Sequence, residues 1–127
     1  MEEIRNYLAN KFFIEFNKAP ESYFYSPGRL EIIGNHTDHN HGLALVASAS
    51  LYIKAAVSRT NDNIINFVSE GIGSFKVDAI SSQINEQEFN TTQALIKGIV
   101  NGFIKRGYIV GGFLAYSISE VISGSGV

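Results

Sequence analysis

Ser26-Pro-Gly-Arg-Leu-Glu-Ile-Ile-Gly-Asn-His-Thr-Asp-His-Asn-His-Gly42 is the stretch on which the reading of this chain turns. It joins an apolar, strand-like run, Leu30 to Ile33, to a dense polar group. Arg29, Glu31, Asn35, His36, Asp38, His39, Asn40 and His41 fall within 13 positions, and all three histidines of the chain are among them. Asn, Asp and His in a glycine-bounded segment are ordinary turn formers, and Thr37 can bond to nearby backbone. Taken singly, each reads as a solvated loop residue. The density of the set, with Arg29 just upstream, points beyond a turn, to a site that holds a hydroxyl, a phosphate or a metal.

Working outward, residues 2–17 predict a helix. Ile4, Leu8, Phe12 and Phe16 recur at four-residue spacing, and Glu2 and Glu3 suit the positive end of the helix dipole. Pro20 bars its continuation. Tyr23 to Ser26 and Leu30 to Ile33 read as extended, with Pro27-Gly28 breaking the run between them. Leu43 to Ala49 is continuously apolar and predicts a buried strand. Alternation over 51–57 predicts a half-buried strand, and Arg59 to Asn63 a turn. Ile64 to Val68 and Phe75 to Val77 follow as short strands, so 51–78 reads as an antiparallel meander. Ser81 to Asn90 is polar and reads as loop. Thr91 to Arg106 predicts the second helix, capped by Asn90 or Thr91 and by Gly107. Its Lys97 falls on the wet face, and Ala94, Gly98 and Gly102 form a row that implies close packing. Gly112 to Val121 predicts a last strand. The expected class is α+β: a mixed, largely antiparallel sheet with helices on one face.

Composition narrows the function. With 127 residues and 45% hydrophobic content, the chain can build one modest core. The net charge of −2 comes without a basic stripe, which argues against nucleic-acid binding. There is no cysteine, which excludes disulfides and thiolate metal sites. No apolar run approaches the ~20 residues that span a membrane, and the first residues are not a signal peptide. The expectation is an intracellular, cytoplasmic, soluble protein. The last residues, Ser-Gly-Ser-Gly-Val, stop inside a glycine-serine turn, so we expect 1–127 to be a fragment.

Three chemistries compete for the central stretch. For metal, His36, Asp38, His39 and His41 are common zinc ligands. Yet the pattern H-x-H-x-D-H would need a histidine where Gly34 stands, and H-E-x-x-H is absent, so no metal site is expected. For a sugar, a hydroxyl that both donates and accepts needs carboxylate, amide and imidazole partners held rigidly. For a phosphoryl group in transit, a nearby arginine supplies the stabilising charge. Arg29 with His36 and Asp38 favours sugar beside phosphate.

The residues Pro27 to Gly42 (P-G-R-L-E-I-I-G-N-H-T-D-H-N-H-G) resemble the galactokinase signature, commonly P-G-R-V-N-L-I-G-E-H-T-D-Y-N-G-G. Galactokinases belong to the GHMP superfamily of small-molecule kinases, with the homoserine, mevalonate and phosphomevalonate kinases. Val121 to Val127 (V-I-S-G-S-G-V) resembles the opening of the family's phosphate loop, G-x-G-[LV]-S-S-S-A. The resemblance implies a partial N-terminal GHMP domain. It implies Arg29 beside the transferred phosphoryl group, and His36 and Asp38 on sugar hydroxyls. Asn35 falls where a sugar-binding glutamate is usual, His39 where tyrosine is usual, and His41 where glycine is usual. Some bacterial members also read G-N-H-T-D-H. Glu31 replaces asparagine and is expected to have a structural role on its strand. Gly124, Ser125 and Gly126 match the nucleotide phosphate loop, where backbone N–H groups face the anion.

The implied activity is transfer of the ATP γ-phosphoryl group to the C1 hydroxyl of galactose with Mg²⁺. The family's catalytic aspartate and C-terminal domain would lie beyond Val127. The 127-residue chain alone is therefore expected to be inactive, and to associate as a homo-oligomer through exposed apolar surface. The alternatives are a non-catalytic regulatory relative that senses galactose and ATP, and a kinase for a related sugar.

Overall fold

Helix α1 (Glu2–Phe16) buries Leu8 and Phe12 completely. It stops at Asn17, whose φ of 49° breaks the helical path while its N–H closes the last turn on Phe13 O at 2.8 Å. The computed structural model, which describes residues 2–34, 41–81 and 83–122, continues as β1 (Ser22–Ile33), β2 (Leu45–Arg59), β3 (Ile64–Ser69), β4 (Gly73–Asp78), α2 (Thr92–Ile104) and β5 (Phe113–Ser119). Pro27 does not end β1. It is absorbed as a register shift between the pairs Pro27–Tyr52 and Arg29–Ser48. The two runs at 43–49 and 51–57 merge into one 15-residue strand.

The sheet order is β1-β2-β5-β3-β4. The β1–β2, β2–β5 and β3–β4 pairs are antiparallel, and β3–β5 is parallel. The α+β class and the largely antiparallel sheet therefore hold, but the meander over 51–78 does not. β2 and β3 are consecutive in sequence, yet β5 lies between them. Gly112 makes the insertion possible. A Cβ there would stand 2.5 Å from Thr60 Oγ1 and 2.6 Å from the carbonyl oxygens of Asp62 and Ile64. Its N–H donates to Asp62 O at 2.9 Å, and its carbonyl accepts from Thr60 N–H at 3.2 Å. Any side chain would hold the β2–β3 turn away from the incoming strand.

The helices pack on opposite faces, not on one. Leu8 and Phe12 of α1 pack with Ala56 and Tyr116, and partly with Tyr23 and Leu114. Val100 of α2 packs with Ile65, Val77 and Ala79, and partly with Phe67 and Phe113. Alternation along a strand puts Tyr116 and Leu114 on one side and Phe113 on the other. The chain thus forms three layers with a small core on each side of the sheet. Sequence periodicity shows that a helix has an apolar face but not which side of the sheet receives it.

Local contacts fix each helix. Thr91 caps α2, its hydroxyl oxygen accepting from Ala94 N–H at 3.2 Å, and Gly107 follows the last turn at φ 83°. The stretch 81–90 is not wholly loop: a 3-10 turn spans Glu86–Glu88. Glu88 accepts from Lys97 Nζ at 2.6 and 2.8 Å, so Lys97 is half-sheltered in an ion pair rather than free on a wet face. On the other side, the Glu70 carboxylate pins α1. It accepts from the Tyr7 hydroxyl at 3.0 Å and from Tyr116 Oη at 2.6 Å, with Lys11 Nζ 3.8 Å away.

Candidate functional site

The site region starts where the sheet narrows. β5 pairs with β2 only from Arg59 to Ile53, so β1 and β2 run on beyond it as a two-stranded ribbon. Arg29 lies on this ribbon, opposite Ser48. Glu31 follows, opposite Val46, and Leu30 stands opposite Ala47 on the other face. One side of the ribbon therefore carries Arg29 and Glu31 and the other is apolar. The ion pairs among the described residues are Lys11–Glu70, Lys18–Glu21, Lys54–Glu120 and Lys97–Glu88, and none engages Arg29 or Glu31.

Gly34 shapes the ribbon's end. It sits at φ 120°, and a Cβ there would fall 2.6 Å from Ala44 Cα and 2.8 Å from Leu43 O. The glycine lets the strand exit lie directly against residues 43–44. β1 and β2 run antiparallel, so the chain reverses direction between Gly34 and Leu43. His41, at φ 59°, is the one predicted polar residue of that stretch with a described position. Asn35, His36, Asp38 and His39 lie outside the described residues, as do Gly124, Ser125 and Gly126. Among the described residues there is no group of three or more His, Asp or Glu suited to a metal.

The apolar run at 43–49 is not a buried strand here. Leu43 is 94% exposed and Leu45 54%. Continuous apolar sequence reports a strand that is covered on both faces, and the ribbon lacks a covering layer among the described residues.

β5 aims the chain at this ribbon. It runs antiparallel to β2, so Glu120 follows Ser119 along β2 and lies against Tyr52. Glu120 fixes the exit. Its N–H donates to Tyr52 O at 2.9 Å, its carboxylate accepts Tyr52 N–H at 3.0 Å, and it pairs with Lys54. The hydrogen bond from Lys54, followed by that from Tyr52 N–H, holds the Glu120 carboxyl below its ordinary range. Sequence reasoning missed the Lys54–Glu120 clamp. The partners are 66 positions apart, and only the pairing of β2 with β5 brings them together. A cleft of about 740 Å³ opens beside it, lined by Glu3, Ile4, Tyr7, Tyr25, Tyr52 and Lys54.

The galactokinase galactose-binding signature matches residues 10–59, which contain α1's second half, β1, the ribbon and β2. Over 108 aligned residues the chain is 37% identical to the galactokinase of Clostridium perfringens, covering 81% of this chain and 27% of that protein. The galactokinase of Clostridium acetobutylicum is 31% identical and covers 98% of the chain and 33% of its own length. Among solved structures, Lactococcus lactis galactokinase complexed with galactose superposes with a TM-score of 0.82 at 28% identity, over 96% of this chain and 32% of that one. Methanococcus jannaschii mevalonate kinase shares the fold at a TM-score of 0.61 and 16% identity, over 83% of this chain and 34% of its own. The chain spans about a quarter to a third of the length of the relatives it matches. No described helix is long and apolar enough to cross a membrane. Signature, sequence and fold agree: the chain belongs to the galactokinase family, has the fold of the N-terminal domain of GHMP kinases, and represents the part of a galactokinase that carries the galactose signature.

Proposed function

We propose that the protein to which these 127 residues belong transfers the γ-phosphoryl group of ATP, with Mg²⁺, to the C1 hydroxyl of galactose in the cytoplasm. Arg29 stabilises the charge on the phosphoryl group in transit. Asn35, His36 and Asp38 hold sugar hydroxyls, and Gly124, Ser125 and Gly126 open the phosphate loop. The observation that carries this reading is Arg29. It stands on the polar side of the ribbon, outside the ion pairs of the described residues, and Glu120, directly after β5, bonds to Tyr52 at the start of the same ribbon. Phosphoryl transfer depends mainly on placing such groups and stabilising charge. Relatives support galactose over another sugar, because both the matched signature and the galactokinases of the two Clostridium species bear its name. They do not favour a sensor without activity.

A coupled assay of the full-length protein tests the reading. ATP- and galactose-dependent turnover is expected, with Arg29→Lys lowering kcat on the order of 100-fold because an ammonium cannot reproduce the guanidinium fork. A full-length protein that binds galactose but never turns it over would instead make it a sensor. The 127-residue chain alone should show no turnover. Titration calorimetry on it, with and without Asp38→Ala, asks whether this part binds sugar by itself.

A further inference from the structure

We infer that Lys54 and Glu120 are positioning residues for phosphoryl transfer: their ion pair fixes the root of the β1–β2 ribbon and so sets where Arg29 stands. This rests on the kinase reading above. The ribbon leaves the sheet at Tyr52. β5 supports β2 as far as the Ile53–Ser119 pair, and Glu120 makes the next rung. Its N–H donates to Tyr52 O at 2.9 Å, and its carboxylate, in place of a backbone carbonyl, accepts from Tyr52 N–H at 3.0 Å. The chain then bends, with Val121 N–H turned back onto Ser119 Oγ at 3.1 Å. A side chain therefore makes half of the last rung that ties β2 to β5.

Such a rung holds only while the carboxylate is kept in place, and Lys54 keeps it there. The ammonium donates to Oε1 while Tyr52 N–H donates to Oε2. Lys54 lies two residues from Tyr52 on the same face of β2, and its side chain is only 16% exposed, so the pair is less screened than one at the open surface. Arg29 stands close to this root. Tyr52 faces Pro27 across the ribbon, and Arg29 is two residues further, roughly 6.6 Å along β1. Between the two the register shifts: two steps on β1, from Pro27 to Arg29, match four on β2, from Tyr52 to Ser48. An irregularity of this kind bends a strand and changes its twist. The ribbon's own pairing therefore constrains its direction least just before the arginine, where the tie to β5 is the Glu120 rung. A group that stabilises charge in a transition state is sensitive to such displacement, since a shift of about 1 Å costs on the order of 100-fold.

The test is a double-mutant cycle on the full-length protein, with galactose and ATP as substrates. Lys54→Met and Glu120→Gln should each lower kcat at least about 10-fold. Glu120→Gln keeps an oxygen for Tyr52 N–H, so it removes the pairing with Lys54 and spares the rung's shape. Lys54→Arg, which keeps the cation, should recover most of the loss seen with Lys54→Met. In an Arg29→Lys background the same two changes should cost less than about twofold, because a contribution already lost cannot be lost again. A purely structural pair would instead give losses that multiply with that of Arg29→Lys. Multiplying losses, unchanged kcat in both single variants, or Lys54→Arg as impaired as Lys54→Met overturns the positioning role. Wild-type protein that phosphorylates no galactose overturns the kinase reading and this inference together, whereas normal wild-type turnover with multiplying losses overturns the role of Lys54 and Glu120 alone.

Discussion

Gly34 shows how much one residue governs at the site. Its φ of 120° is open to glycine, and its missing side chain leaves room for the backbone of Leu43 and Ala44. Gly34→Ala should cost about 1–3 kcal/mol, measured as a lower urea midpoint at constant slope. It should also weaken galactose affinity more than ATP affinity in the full-length protein, since the clash with Leu43 and Ala44 falls inside the matched galactose-binding signature. The histidine that a metal-binding pattern would require at this position would meet the same clash. Steric geometry and motif logic thus agree on glycine, although the motif argument was made about zinc.

At the scale of elements, the helices differ in how they are held. The two glycines of α2 read from sequence as a close-packing row, but a Cβ on Gly98 would meet only Ile84 Cδ1, at 3.9 Å. Gly98→Ala should therefore stabilise the 127-residue chain by about 0.5–1 kcal/mol, seen as a higher thermal midpoint. Helix α1 instead depends on Glu70. Hydrogen bonds from Tyr116 and then Tyr7, with Lys11 nearby, hold this carboxyl below its ordinary value of 4.5, while burial opposes the shift. Burial and the Glu70 carboxylate push the Tyr116 hydroxyl upward. A carboxyl with a depressed folded value stabilises the fold above the unfolded value and loses that contribution as pH falls through the folded one. Glu70→Gln should flatten the loss of stability below about pH 4.5, read from urea midpoints across pH 3–7. The two helices and five strands of the described residues could be located from periodicity and turn chemistry, with β1 and β2 each read as two runs, because those signals are local. Strand order, the opposing helix faces and the Glu70 and Lys54–Glu120 contacts could not, because they join residues far apart in sequence. The site followed the same division. Arg29 and its neighbours were legible as a motif, whereas the two-stranded ribbon that carries Arg29 beyond the end of β5 needed coordinates.

The molecule as a whole exposes much apolar surface for its size. An apolar groove of about 410 Å³ runs between α2 and the sheet, lined by residues including Phe24, Val57, Ile99 and Phe103. Phe24 is 58% exposed and Ile99 54%. Contiguous apolar surface of this kind drives association. Light scattering on the 127-residue chain should show dimers or larger species whose fraction rises with concentration, and a monomer at high concentration would contradict this.

The insertion of β5 between β2 and β3 also sets a timetable. On a ribosome, the β1–β2 and β3–β4 hairpins emerge first and can pair locally, but they have no seam between them. The seam is the last of the five described strands to be made, and chain synthesis at roughly 5–20 residues per second leaves the two hairpins waiting for it. Only when Phe113–Ser119 emerges can the long-range pairing that limits folding begin. Nascent chains arrested before Gly112 clears the exit tunnel should remain open to protease between the hairpins, and those arrested well after Ser119 should not.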